Sequence, residues 1–122
     1  MEREPLLAWQ LRLYPENHKD RRNLLVHVCT VPVFHAGLGA LVFGALGRHP
    51  WAALSGVLAM VAAVALQGRT HKLEVTPPQP FRGPLDVVAR IVVEQLITFP
   101  RFVWSGGLVR AWREEAAREG TA

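Results

Sequence analysis

Three histidines and one carboxylate are spaced so that a helical chain could gather them: His18, His27, His71 and Glu74. His18 stands just before a long apolar run, His27 about one turn inside it, and His71 just after a second apolar run. A hairpin of two helices brings the three imidazoles to one end, with Glu74 three residues beyond His71. Neutral imidazole is the commonest metal ligand among side chains, and His/carboxylate sets with an open position suit zinc or non-haem iron. His49 falls at the opposite end of such a hairpin. His35, eight residues past His27, lies roughly 12 Å farther along the axis, beyond the reach of ligand bonds of about 2 Å. Nine residues of unbroken helix would point His18 and His27 in opposite directions, so the chain must break between them. Asp20 as a helix cap supplies that break, and Asn23, four residues before His27, shares its face and could orient the ring. The same spacing suits ordinary interfacial histidines with polar tips toward water, and the residues alone leave both readings open.

The elements that would carry these residues follow from hydropathy. Leu24 to Gly47 contains no formal charge, and as a helix would run roughly 36 Å, longer than a bilayer core requires. Trp51 to Leu66 is a second uncharged run, and Arg48-His49-Pro50 between them is short enough to join antiparallel neighbours. Glycines and alanines crowd both members, with Gly37, Gly39 and Gly44 reading as packing positions. The expected fold is all-α: a membrane-embedded helical hairpin over 24–67, a Pro-rich loop over 68–84, an amphipathic, partly embedded third helix over 85–99, and a basic aromatic tail over 100–122. Asp86, Arg90, Glu94 and Thr98 recur every four residues and give the third helix one polar stripe. Pro100 is expected to kink or end it, Glu4 to Tyr14 to form an interfacial helix, and Glu114 to Ala122 to fray. The whole forms one domain, because 122 residues leave no room for a second.

Charge supplies an orientation. Arg3, Arg12, Lys19, Arg21 and Arg22 precede the hairpin and Arg69, Lys72 and Arg82 follow it, whereas the turn holds only Arg48. By the positive-inside rule this multi-pass arrangement puts the N-terminus and the histidine end in the cytoplasm. The first run starts too late, after a charged segment, to be a signal peptide. A soluble helical bundle is the alternative, and there the asymmetry carries no meaning. One cysteine, Cys29, excludes a disulfide framework, and in an apolar helix it reads as an inert packing thiol. The net charge of +4 does not point to nucleic acid, since the cations flank apolar runs, where anionic lipid explains them. A two-span core of this size buries little by itself, which favours a homo-oligomer.

The segment Tyr14-x3-His18-x4-Asn23-x3-His27-x4-Pro32, entering an apolar hairpin, resembles the opening motif of the fungal 2-hydroxy-fatty-acid dioxygenase family of small multi-helix membrane proteins. His71-Lys72-Leu73-Glu74, followed by Pro77, Pro78, Pro80 and Phe81, is similar to that family's second block. The resemblance covers Tyr14 to Pro32 and Thr70 to Pro84; between them only hydropathy agrees, and beyond Pro84 nothing carries over. It implies an Fe(II)-dependent, O2-consuming α-oxidation that shortens a 2-hydroxy fatty acid by one carbon, at a membrane surface where the acyl chain stays in lipid. It also implies His18, His27 and His71 as metal ligands, Glu74 as a fourth ligand or an orienting carboxylate, and Tyr14 and Asn23 as their hydrogen-bonding supports. Zinc would accept the same donors.

Arg82 and Arg90 are candidates to bind a substrate carboxylate, as is Arg101. Against this, Arg90 is four residues from Glu94 and could pair with it, while Arg82 and Arg101 could meet lipid phosphates. The function expected from the whole is a non-haem Fe(II) lipid dioxygenase. The alternative is a non-enzymatic membrane interaction or assembly protein in which the histidines are incidental.

Overall fold

The structure is a computed structural model that describes residues 4–121; Arg3 and Ala122 lie outside the described residues. Every regular element among those residues is helical. A short helix α1 (Leu6–Leu13) runs into a 3-10 turn (Tyr14–Asn17), and an extended break leads to α2 (Arg21–Leu46). Asp20 starts α2: it has extended backbone, and its side chain accepts from the Arg22 N–H at 2.8 Å. This satisfies one of the amides that a helix start leaves without a partner. Helix α3 (Pro50–His71) returns alongside, entered through Pro50, whose missing N–H costs nothing in a first turn.

The hairpin is held by backbone approach. A Cβ on Gly56 would lie 2.3 Å from the Gly37 carbonyl oxygen, and one on Gly44 would lie 2.4 Å from the Ala53 nitrogen. Only hydrogen fits at these crossings. Gly39 differs from the packing role expected of it: a Cβ there meets nothing within 4 Å, because the residue faces away from α3. Pro32 sits inside α2 without ending it. Both hairpin helices are long and apolar enough to cross a membrane. Most of their apolar surface points outward: Phe43, Leu46, Trp51, Leu58 and Val61 are exposed, as is Cys29, which packs against no core.

The third helix is more broken than its sequence suggests. Helix α4 (Pro84–Val93) widens into a π-helical turn (Glu94–Thr98) and tightens again as α5 (Phe99–Trp104). Pro100 neither ends the helix nor can donate to the carbonyl four residues back, and its ring crowds that position. The wide turn just before it, closed by the Phe99 N–H on the Glu94 carbonyl, absorbs the misfit. Gly106, at φ 85°, allows the reversal into α6 (Gly107–Thr121), so the expected frayed tail is a helix. Helix α6 lies on α2 through Arg21, whose guanidinium covers the Trp112 ring at 4.4 Å and donates to the Trp112 carbonyl.

The interior is unusually polar. Tyr14, Leu24, Val31, Phe99, Phe102 and Ala111 form the apolar cluster. Beside it, Gln67 and Gln95 exchange amide hydrogen bonds, Gln67 also donates to Thr30, and Thr98 donates to Gln10. The stripe read on the third helix therefore faces inward.

Candidate metal centre

Four elements deliver one side chain each. His18 ends the 3-10 turn, His27 stands in the second turn of α2, His71 closes α3, and Glu94 opens the π-helical turn. Their potential ligand atoms all lie within 4.8 Å of one another. The three imidazoles form a near-equilateral triangle, with ring centroids 4.6, 4.8 and 4.9 Å apart and planes crossing at 78–86°. The break at Asp20 lets His18 and His27 converge although they are nine residues apart.

Hydrogen bonding assigns the tautomers. His18 Nδ1 lies 2.8 Å from the Tyr14 carbonyl oxygen, and His27 Nδ1 lies 2.9 Å from that of Asn23. A carbonyl only accepts, so each Nδ1 carries the proton and each Nε2 presents a bare lone pair. Both Nε2 atoms are buried without a hydrogen-bond partner. They face Glu94 Oε1 at 3.7 and 3.3 Å, another acceptor, which receives the Tyr14 hydroxyl at 3.1 Å.

Burial pushes the His18 imidazole below its ordinary pKa, so it stays neutral. Burial, with Glu94 beside it, pushes the Tyr14 phenol well up, so it remains a donor. Two buried lone pairs and one carboxylate pointed at one another repel unless a positive centre lies between them. This group could hold a metal ion, and its donor chemistry fits one.

The supporting residues are shared among the histidines. Asn23 gives its carbonyl to His27, and its Nδ2 lies 3.4 Å from His71 Nδ1. Thr70 donates to Asn23 Oδ1 at 2.7 Å, which fixes the amide's orientation. Tyr14 stacks on His18, with centroids 3.6 Å apart. Glu74 lies outside the gathered ligand atoms. Its buried carboxylate accepts from the Lys19 and Asp20 backbone N–H groups and from Asn23 Nδ2, tying the end of α3 to the break after His18. The carboxylate that stands with the three imidazoles is Glu94, not Glu74.

The arginine expectations change as well. Arg90 donates to the Gln79 and Pro80 carbonyls, lies 3.6 Å from Asp86, and stacks between Trp9 and Phe81. Its ion pair is with Asp86, one turn back, because Glu94 turns to the histidines. Arg82 gives its backbone N–H to Asp86 and is exposed, and Arg101 is exposed too. His35 Nε2 lies 2.6 Å from the Gln95 carbonyl oxygen, and His49 stacks on Phe43 at the far turn.

A cavity of about 380 Å³ opens beside the cluster between α1, α3, α4 and the Pro-rich loop. His18, His71 and Glu94 are part of its lining, and Leu13, Val64, Phe81, Val87 and Ile91 contribute apolar walls. No protein-family model, curated protein sequence or solved structure matches the chain.

Proposed function

We propose that this chain is a membrane-embedded, non-haem Fe(II) dioxygenase that acts on 2-hydroxy fatty acids. The observation that carries the reading is the convergence of His18, His27, His71 and Glu94 with two buried, unpartnered Nε2 atoms. Three imidazoles and one carboxylate leave positions for substrate and oxygen on an ion that accepts up to six donors. His18, His27, His71 and Glu94 would hold the ion; ferrous iron there would supply redox reactivity toward O2 and a Lewis acid for the 2-hydroxy carboxylate, of which zinc would supply only the second. One 2-hydroxy acid and one O2 balance to the one-carbon-shorter acid, CO2 and water, so no external reductant is needed. The chain's own residues orient the donors: Tyr14 holds Glu94, Asn23 holds His27, and Glu74 holds the loop that carries His18.

The membrane reading is supported by the outward apolar faces of α2 and α3 around a polar interior, the reverse of a soluble bundle. Cations Lys19, Arg21, Arg22, Arg69 and Lys72 sit at the histidine end, so a bilayer would hold the centre near its cytoplasmic surface. Elemental analysis of detergent-purified, anaerobic protein tests the metal, beside a His27→Ala/His71→Ala double variant. Near-stoichiometric iron lost in the variant supports the reading. Zinc moves the chemistry toward hydrolysis. A folded, iron-supplemented protein without metal overturns the enzyme reading and favours an interaction protein.

A further inference from the structure

We infer that the cavity between α1, α3 and α4 is the site for the apolar chain of a single-chain carboxylic acid, head toward Glu94 and tail toward Val64; this rests on the function proposed above. The wall supplied by α3 is one helix face: Val64, Gly68 and His71 are spaced by four and three residues, so the face leads about 10 Å away from the cluster. Leu13, Val87 and Ile91 line the route with hydrocarbon. The amides of Gln10, Gln67 and Gln95 also line the cavity, but they are hydrogen-bonded to the Arg90 carbonyl, Thr98, Thr30 and one another, whereas the buried Nε2 of His18 at the cluster has no partner.

Charge decides which way the acid lies. Arg90 is the one cation among the described residues lining the cavity. Its guanidinium is committed to Gln79, Pro80 and Asp86 and covered by Trp9 and Phe81. A carboxylate there would have to displace these partners. At the cluster, a divalent ion with three neutral imidazoles and one carboxylate keeps a charge of +1, which complements one carboxylate head. Anion recognition therefore belongs to the metal end, and Arg90 shapes the wall.

Gly68 gives direct access to the test. A Cβ there meets nothing within 4 Å and the residue lines the cavity, so Gly68→Phe and Gly68→Leu add bulk to that wall without displacing backbone, and the helix gains from losing a glycine. Gly39→Phe is the control, since Gly39 is equally open but lies outside the cavity lining. The probe is a diazirine-bearing myristate, photolysed with the protein in lipid nanodiscs and mapped by peptide mass spectrometry. Iron is measured on the same samples.

Expected are crosslinks at Leu13, Val64 and Val87, competed by myristate but not by its methyl ester. Both Gly68 variants should lower the labelling about tenfold with iron retained, and Gly39→Phe should leave it unchanged. Crosslinks confined to the outer faces of α2 and α3, or undiminished labelling in both Gly68 variants, would overturn the assignment. Equal competition by the methyl ester would overturn the head-to-metal orientation. Cavity labelling in protein that holds no iron would uphold the chain site and sink the iron reading, so the two fail separately.

Discussion

Glu94 and Glu74 compete for one role, and isosteric amides separate them. Glu94→Gln keeps the shape and an acceptor for the Tyr14 hydroxyl but removes the buried charge that faces His18 and His27 at 3.7 and 3.3 Å. Supporting residues around a metal typically contribute about 10–100-fold in affinity, and a directly bound anion contributes more. Glu94→Gln should therefore weaken iron binding by at least about 100-fold, which at about 1.4 kcal/mol per tenfold is about 2.8 kcal/mol. In Glu74→Gln the new amide must turn a donor toward one of the Lys19 and Asp20 N–H groups, which loosens the loop after His18 but touches no ligand atom. Its loss should fall within about 10–100-fold. The assay is anaerobic Fe(II) titration against a competing chelator, with helical content followed by circular dichroism to establish folding. Wild-type affinity in a folded Glu94→Gln protein, with loss in Glu74→Gln, would reverse the assignment and refute the ligand set.

Gly56→Ala forces a methyl to within 2.3 Å of the Gly37 carbonyl, so the hairpin should lose about 1–3 kcal/mol in denaturant titration in detergent, while Gly39→Ala should gain a few tenths to about 1 kcal/mol. Comparable changes in both would contradict the close helix approach. Tyr14→Phe removes the hydroxyl bond to Glu94 but keeps the ring stacked on His18; iron affinity should fall by about tenfold without loss of the fold, read by the same titration. Acidification should destabilise the metal-free protein: burial lowers the His18 pKa, so the unfolded chain takes up this proton first. That contribution is fully present above the unfolded value of about 6.5 and is lost as pH falls through it toward the folded value. Thermal melts that stay level from pH 7 to 4 would contradict this.

What was legible in the sequence was whatever depends on neighbours along the chain. Uncharged runs as long as Leu24–Gly47 and Trp51–Leu66 specify helices by hydropathy, and the short Arg48-His49-Pro50 connection makes them antiparallel. That topology alone carries His71 back to the end where His18 and His27 begin. Asp20 was readable as a cap because capping is local. The partner of the three histidines was not readable, since Glu94 comes from a separate helix whose facing depends on rotation about its axis. Its only trace was an acid in an otherwise apolar stretch, on a stripe that could equally have faced solvent. Tertiary packing turned that stripe inward, where Thr98 meets Gln10 and Arg90 finds loop carbonyls. The π-helical turn before Pro100 is part of that packing and opens at Glu94 itself. The surroundings of Glu74 were hidden for the same reason. Three residues from His71 it is close in sequence, but its carboxylate meets the Lys19 and Asp20 backbone N–H groups in the break before α2. Sequence specified which residues could reach this end of the hairpin; only the arrangement of separate helices determined which of them meet.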